Sequence, residues 1–206
     1  MYQIVKRALD VVLTILILVT VSPLMLAAAL TILVCTGPPI LFSQQRGGRD
    51  GRGFLIHKFR TMVEERGEGG APLPEEARLT RLGRFLRSTS IDELPQLWNV
   101  LRGEMSLVGP RPLHVQYVGR YSSWHRRRMA VRPGITGWAQ VNGRNGLGWP
   151  EKFDLDVWYV DHCSVLLDLK ILLSTAIRVF HHTGINYRGN ATMPEFMGID
   201  GPPRES

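Results

Sequence analysis

The longest hydrophobic pattern in the chain lies near the N-terminus. No charged residue occurs from Val11 to Gln45, and the stretch Val11–Cys35 (VVLTILILVTVSPLMLAAALTILVC) is almost wholly apolar. A helix that crosses a bilayer needs about 20 consecutive apolar residues, and this stretch is longer. The pattern therefore predicts a membrane-associated helix at the start of the chain.

Ser22-Pro23 lies at the centre of this run and bears on how the helix meets the membrane. Proline removes a backbone hydrogen bond and kinks or breaks a helix, although spanning helices tolerate it. Basic residues flank both ends, Lys6 and Arg7 before the run and Arg46 after it, whereas a spanning helix carries most of its basic residues at one end. A re-entrant helix that enters and leaves through one face explains both features, but by composition alone a simple span is equally well supported. A cleaved signal peptide is less favoured, because the apolar run continues past the small residues of a cleavage site.

Periodic apolar positions predict that the rest of the chain is mostly helical. The i, i+3, i+4, i+7 spacing over residues 94–101 indicates an amphipathic helix, which Gly103 would end. The segments around Trp158 and over residues 165–180 have broad apolar faces, which suit either a core or interfacial helices. Only two short segments, FLIH and GWAQV, look extended.

Composition and charge narrow the choice of partner. The chain has 206 residues, of which 44% are hydrophobic, enough for one ordinary domain beside the membrane segment. A formal net charge of +7 predicts attraction to phosphate-bearing substrates, lipid headgroups or nucleic acid. The basic segment over residues 124–132 lacks a recognisable nucleic-acid-binding module, so lipid is favoured over nucleic acid. The two cysteines, Cys35 and Cys163, indicate neither a disulfide framework nor a zinc cluster.

An adjacent acid pair, Asp92 and Glu93, stands at the start of the predicted helix over residues 94–101. A helix capped at Ser90 would place Pro95 where an amide is needed, so a start near Asp92 fits better. In both registers the helix dipole favours the ionised carboxylates. The simplest interpretation is an N-cap followed by a first-turn acid.

The basic neighbours of this pair favour a catalytic role of the two acids over a role in capping the helix. Arg84 and Arg87 precede the pair, and Arg111 follows it between two prolines, which hold the direction of its backbone. A guanidinium held there can clamp phosphate oxygens while a carboxylate binds a metal or attacks phosphorus.

Several long motifs in one order carry a family resemblance. KFRTM (Lys58–Met62), LRSTSIDELPQLWNVLRGEMSLVGPRP (Leu86–Pro112), RPGITGWAQVNGR (Arg132–Arg144), and LDVWYV followed by LDLK (Leu155–Val160, Leu167–Lys170) occur in sequence. Together they resemble the bacterial sugar transferase family, the small monotopic polyprenyl-phosphate phosphoglycosyltransferases. The match extends from the N-terminal hydrophobic segment to ATMPEF (Ala191–Phe196).

The resemblance implies a fold, a reaction and a location. The fold is α/β and helix-dominated, with a re-entrant helix over residues 1–36 broken at Ser22-Pro23, and interfacial helices under a compact cytoplasmic catalytic head over residues 37–206. The reaction moves a sugar 1-phosphate from a UDP-sugar to polyprenyl (undecaprenyl) phosphate and releases UMP. It takes place at the cytoplasmic face of the bacterial inner membrane. The expected partners are membrane lipids and not nucleic acid, and a homo-oligomer is compatible with the sequence.

The resemblance also implies residue roles. Asp92 is the nucleophile that becomes a phosphosugar-aspartyl intermediate and touches Mg²⁺, and Glu93 positions the metal or accepts a proton. The implied phosphate and nucleotide ligands are Lys58, Arg60, Arg87, Arg111, Gln140 and Arg144. Asp156 and Asp168 are implied as supporting residues. Gln140 is equally well explained as a residue whose amide bonds to backbone.

Two rival functions follow from the same residues. A direct glycosyltransferase would transfer the sugar without its phosphate and release UDP, and a non-enzymatic anchor protein would use the acid pair only as a helix cap. No residue pattern in the sequence identifies the sugar that is transferred.

Overall fold

The computed structural model describes residues 2–63, 70, 73–143, 147–181 and 195–198. The helices are α1 (Tyr2–Thr36), α2 (Glu75–Arg78), α3 (Arg81–Ser88), α4 (Leu97–Arg102), α5 (Ser123–Arg126), α6 (Trp138–Asn142), α7 (Trp149–His162) and α8 (Val165–His181). The strands are β1 (Leu41–Gly47), β2 (Gly53–Phe59), β3 (Ser106–Val108) and β4 (Gly134–Thr136). Short 3-10 turns cover Arg49–Gly51, Ile91–Gln96, Val115–Arg120 and Arg127–Ala130. The fold is therefore helix-dominated, as the periodicity predicts.

Helix α1 is the largest element and has the surface of a membrane helix. It is long and apolar enough to cross a bilayer, judged by its length and composition. Its outer face is apolar and exposed, with Ile4 77% and Val34 85% accessible. A continuous apolar surface of this kind is unfavourable in water and marks a face that meets lipid or another protein.

The helix does not end at Ser22-Pro23. Residues on both sides of Pro23 remain helical, although proline has no amide with which to bond the carbonyl four residues earlier. The hydroxyl of Ser22 donates to that carbonyl, the oxygen of Val19, at 2.9 Å. The predicted interruption is thus confined to one backbone hydrogen bond, which a side chain replaces.

Both ends of α1 pack on the head. Near its N-terminus, the Asp10 Oδ1 atom accepts a hydrogen bond from the Leu107 amide of β3 at 3.1 Å. Near its C-terminus, Ile32 is fully buried in a cluster that contains Phe59 and Leu86. A helix that left the head along the membrane normal would contact it at one end only, so α1 follows the surface of the head.

The strands form two small sheets. Strands β1 and β2 pair as an antiparallel hairpin with Gln44 opposite Ile56, which confirms FLIH as a strand. Strands β3 and β4 pair in parallel with Ser106 opposite Gly134. Their approach requires glycine, because a Cβ atom on Gly134 would lie 2.1 Å from the amide nitrogen of Gly109.

The prediction that GWAQV is extended was wrong. The strand ends at Thr136, and residues 138–142 form α6. The extended Gly137 lies between the two elements, and Ala139 and Val141 point into the core from the helix. A short apolar run has no periodicity long enough to distinguish a helix from a strand.

The core lies between the ends of the elements rather than between two large layers. One cluster joins α4, β3, α7 and α8 through Val100, Val108, Tyr159 and Ile171. A second, aromatic cluster joins the segment over residues 117–121 to α7 and includes Phe153 and Phe196. Helix α8 contributes only one face to the core, because a stripe on its other side is exposed. That stripe consists of Leu166, Leu169, Leu173 and Ile177.

We predict that Arg7 stabilises the contact between α1 and the helix that follows the acid pair. Its guanidinium donates to the Val100 oxygen at 2.6 Å and to the Leu101 oxygen at 2.9 Å, and these carbonyls lie at the C-terminal end of α4. Cations stabilise such ends. Arg7→Gln should lower the free energy of unfolding by about 1–3 kcal/mol, measured by thermal unfolding in detergent. Arg102→Gln, which removes an exposed arginine from the same helix end, is the control, and equal effects of the two changes would contradict the prediction.

Candidate active site

The acid pair lies in a 3-10 turn rather than in the first turn of an α-helix. The turn covers Ile91–Gln96, and α4 begins only at Leu97. Pro95 cannot donate a backbone hydrogen bond and disfavours the α conformation in the residue before it, which delays the start of the helix. Ser90 makes no capping bond and has left-handed backbone angles of φ 59° and ψ 16°. A helical turn thus begins within one residue of the predicted start near Asp92, but it is a 3-10 turn and Ser90 does not cap it. Gly103 ends α4 with φ 80° as expected.

Glu93 is the centre of an ion-pair cluster. Its Oε1 atom accepts hydrogen bonds from Lys58 Nζ of β2 and from Arg111 Nη2, both at 2.6 Å. Burial by itself would raise the pKa of the Glu93 carboxyl, but the charges and hydrogen bonds of Arg111 and Lys58 hold that pKa well below its usual range. Glu93 is thus a permanent anion that fixes two cations, and it is poorly suited to accept a proton near neutral pH.

Asp92 differs from Glu93 in its hydrogen bonding and in the direction of its pKa shift. It is 7% exposed, and within the described part of the chain no hydrogen bond reaches its carboxylate. Burial and the neighbouring charge of Glu93 raise its pKa to about 6, against the opposing charges of Lys58, Arg87 and Arg111. Desolvation and the charge of Glu93 therefore outweigh any stabilisation of the ionised form by the dipole of this short turn. Asp92 is therefore an unengaged carboxylate that is ionised at neutral pH.

Arg111 owes its position to a buried pair that composition does not reveal. The carbonyl of Arg111 accepts a hydrogen bond from Arg128 Nη2 at 2.7 Å. The same guanidinium bonds Asp156 Oδ2 through Nη2 at 2.7 Å and through Nε at 3.0 Å, and both side chains are almost fully buried. Asp156 is a predicted supporting residue, and it orients Arg128, which in turn binds the carbonyl of Arg111. Sequence reasoning missed Arg128, because nothing in the run Arg126–Arg128 indicates which arginine faces inward.

Two further predicted phosphate ligands have other partners. Arg87 donates to Glu75 Oε1 at 2.9 Å and to Thr61 Oγ1 at 3.1 Å, although its charge still acts on Asp92. Arg60 donates to the Thr36 oxygen at 2.7 Å and to the Pro38 oxygen at 3.0 Å. The guanidinium of Arg60 therefore caps the C-terminal end of α1, and the structure does not bring it to the acid pair.

The remaining predicted residues lie apart from the acid pair or outside the described residues. Gln140 Nε2 donates to the Ile135 oxygen at 2.9 Å, in agreement with the interpretation that its amide bonds to backbone. Asp168 accepts hydrogen bonds from Tyr159 at 2.6 Å, Lys6 at 2.8 Å and Tyr2 at 2.9 Å. Asp168 thus joins α1, α7 and α8. Arg144 lies outside the described residues.

Arg46, which follows the membrane segment in the sequence, is a further basic residue near Arg111 and Glu93. Burial, and then the charge of Arg111, lower its pKa to about 10, whereas the charge of Glu93 acts in the opposite direction. Its Nη2 atom donates to Gln44 Oε1, and its Nε atom is buried without a partner. Arg46 therefore adds a further guanidinium charge close to Arg111 and to the acid pair.

Comparison with known proteins identifies the family of the chain. A family model described as "Bacterial sugar transferase" matches residues 1–182. The chain belongs to the bacterial sugar transferase family. The family assignment that the motifs predict is confirmed.

Relatives of this sugar transferase include proteins of similar and of much greater length. The "Uncharacterized sugar transferase EpsL" of Bacillus subtilis (strain 168) is 48% identical over 95% of this chain and 97% of its own length. The "UDP-glucose:undecaprenyl-phosphate glucose-1-phosphate transferase" of Xanthomonas campestris pv. campestris is 42% identical over 86% of this chain. The "UDP-N-acetylgalactosamine-undecaprenyl-phosphate N-acetylgalactosaminephosphotransferase" of Aeromonas hydrophila is 37% identical over 84% of this chain. The chain spans 39% and 43% of the lengths of these last two relatives.

We predict that Asp92 lowers the stability of the folded sugar transferase at neutral pH. Since its pKa is about 6 in the folded protein and ordinarily 3.8, the cost of ionising it appears as pH rises from about 4 to 6 and is constant above. Asp92→Asn should therefore raise the free energy of unfolding by up to about 3 kcal/mol at pH 8 and by much less at pH 4.

Thermal or denaturant unfolding across this pH range checks the prediction. Asp50→Asn is the matched control, because the carboxylate of Asp50 is largely exposed and asparagine tolerates its left-handed backbone. An Asp92→Asn variant that is less stable than the unmodified protein at pH 8 would contradict the prediction.

Proposed function

We propose that this sugar transferase moves a sugar 1-phosphate from a UDP-sugar to undecaprenyl phosphate and releases UMP. The names of the relatives from Xanthomonas campestris and Aeromonas hydrophila both specify transfer to undecaprenyl phosphate. The observation that carries the proposal is the contrast within the acid pair. Glu93 is bound to Lys58 and Arg111, and Asp92 beside it is left with no partner in the described part of the chain.

In the first step, an ionised Asp92 oxygen attacks the sugar-bearing phosphorus of the donor. A bond forms between that oxygen and phosphorus, and the bond from phosphorus to the bridging diphosphate oxygen breaks, so that UMP leaves with the electron pair. Attack on an anionic diphosphate requires that its charge be balanced. Lys58 and Arg111 supply this charge at fixed positions, because Glu93 already orients both of them.

In the second step, a phosphate oxygen of undecaprenyl phosphate attacks the phosphorus of the aspartyl intermediate. The bond from phosphorus to Asp92 breaks, the Asp92 carboxylate is regenerated, and the product is a lipid diphosphate sugar. No proton is required from Glu93 in either step, since both leaving groups depart as stable anions. The low pKa of Glu93 therefore supports an orienting role rather than that of a general base.

The residues present fit a magnesium ion that is shared with the substrate. Magnesium is bound by oxygen, usually by one or two carboxylates together with substrate phosphates rather than by an all-protein cage. Asp92 is a carboxylate without a competing hydrogen bond, and the described residues contain no cluster of three or more acidic, histidine or cysteine side chains. Asp92 would hold the ion, which when bound balances charge on the phosphate oxygens.

We further propose that the chain is monotopic at the cytoplasmic face of the inner membrane, with α1 as a re-entrant helix. Support comes from the contacts of both ends of α1 with the head, through Asp10 and Ile32, and from basic residues on both flanks. The exposed apolar stripe of α8 would lie in the same interface as an amphipathic helix. This arrangement holds Asp92 near the height of a lipid phosphate.

The nucleotide that is released tests the reaction. Detergent-purified protein, Mg²⁺, undecaprenyl phosphate and a panel of UDP-sugars, including UDP-glucose and UDP-N-acetylgalactosamine, should release UMP with at least one donor. Release of UDP would establish glycosyl transfer and overturn the aspartyl mechanism. Failure of every donor, in protein that is folded and associated with lipid, would favour the anchor function.

We predict that Asp92→Asn abolishes turnover and formation of the covalent intermediate while the protein still folds and binds membranes. An amide nitrogen or oxygen is a poor nucleophile toward phosphorus, so loss of at least about 10³-fold in kcat is expected. The intermediate is measured by mass spectrometry after mixing the enzyme with donor alone. Asp50→Asn is the control, and retention of the adduct in Asp92→Asn would assign the nucleophile elsewhere.

We predict that kcat/KM falls on the acid side with an apparent pKa of about 6, because the Asp92 pKa is about 6 and the protonated acid does not attack. Glu93→Gln should move this limb to lower pH, since it removes a negative charge that raises the Asp92 pKa. A pH–rate profile measures both effects. Glu151→Gln, which changes an exposed acid of α7, should leave the limb in place, and a limb that Glu93→Gln moves to higher pH would contradict the assignment.

A further inference from the structure

Backbone contacts hold the strand that carries Arg46 against the segment that carries Arg111. The backbone of Arg46 forms an antiparallel bridge with His114. The next amide, that of Gly47, donates to the Leu113 oxygen at 2.8 Å. The segment over residues 111–114 is also fixed by the hydrogen bond from Arg128 to the Arg111 carbonyl. Strand β1 and the segment over residues 111–114 therefore lie side by side, and the charge of Arg111 acts on the guanidinium of Arg46.

No acidic side chain in the described part of the chain forms an ion pair with Arg46. Its guanidinium donates to the neutral side-chain oxygen of Gln44, and its buried Nε atom has no partner among the residues that the structure describes. The nearby anion, Glu93, is already bonded to Lys58 and Arg111. A buried donor without a partner is costly, and so are adjacent like charges. An anion placed between the two guanidinium groups would relieve both costs.

We propose that Arg46 is a further substrate ligand that, together with Arg111, binds a phosphate group next to Glu93. A guanidinium offers several N–H donors in one plane, which suits the tetrahedral oxygens of phosphate. The inference rests on the proposed function for the identity of the phosphate, which belongs either to the nucleotide diphosphate or to the polyprenyl phosphate. It does not rest on that function for the existence of the anion site.

The experiment measures binding directly, without turnover. Isothermal titration in detergent gives the dissociation constants of UDP, of inorganic pyrophosphate and of a short-chain polyprenyl phosphate for the unmodified protein, Arg46→Gln and Arg46→Lys. Arg52→Gln is the matched control, because Arg52 is an exposed arginine of the same hairpin. Arg46→Gln should weaken binding by about tenfold or more, Arg46→Lys by less, and Arg52→Gln by less than about twofold.

The ligand that loses affinity identifies the source of the phosphate. Weaker binding of UDP and pyrophosphate assigns Arg46 to the donor, and weaker binding of polyprenyl phosphate alone assigns it to the acceptor. Unchanged affinity of Arg46→Gln for all three probes overturns the proposal, as does an unmodified protein that binds none of them. If no UDP-sugar yields UMP but Arg46→Gln still weakens pyrophosphate binding, the proposed reaction fails while the anion site stands.

Thermal unfolding without ligand separates a binding role from a structural one. If Arg46 merely supported the hairpin, Arg46→Gln would lower the melting temperature. A residue whose charge is unbalanced in the free protein should instead leave the melting temperature unchanged or raise it, and the increase should shrink with added salt as charges are screened. A melting temperature that falls by several degrees, with unchanged affinity for all three probes, would show that Arg46 is structural.

Discussion

The shared ion pair of Glu93 with Lys58 and Arg111 is the interaction on which the site depends. It joins three segments that are distant in the chain: β2, the 3-10 turn after α3, and the proline-flanked segment after β3. A carboxylate removed from water is stable only when its charge is balanced and its oxygens are hydrogen-bonded. Glu93 meets both conditions, so its two cations are held where a phosphate can reach them.

Asp92 accepts none of these hydrogen bonds, and that difference separates the pKa values of the two adjacent acids. Both carboxylates are largely removed from solvent, and both experience the charges of Lys58 and Arg111. In the described part of the chain only Glu93 accepts direct hydrogen bonds, so its pKa falls, whereas desolvation and the Glu93 charge raise that of Asp92. Pairs of titratable groups whose surroundings separate their pKa values are typical of catalytic sites.

Helix α1 is joined by hydrogen bonds to several elements of the rest of the fold, including the helix that follows the acid pair. Arg7 of α1 binds the carbonyls at the end of α4, the helix that begins after the acid pair, and Arg60 of the head binds the carbonyls at the end of α1. Asp168 joins the first turns of α1 to α7 and α8. The depth of α1 in a membrane is thereby coupled to the position of the acid pair.

The sequence by itself determined the long apolar helix, the helix that ends at Gly103, the family and the acid pair, because each is a local pattern of hydrophobicity, backbone preference or residue order. It did not determine the 3-10 turn, the short α6 or the partners of individual basic residues. Those depend on contacts between distant segments. Arg87 pairs with Glu75, Arg60 binds the carbonyl of Thr36, and the buried Arg128 pairs with Asp156. The charge of Arg111 acts on Arg46 in the same way, across distant segments. Periodicity reports which face of an element is apolar, but a long flexible cation finds its partner only when the tertiary structure has brought the two together.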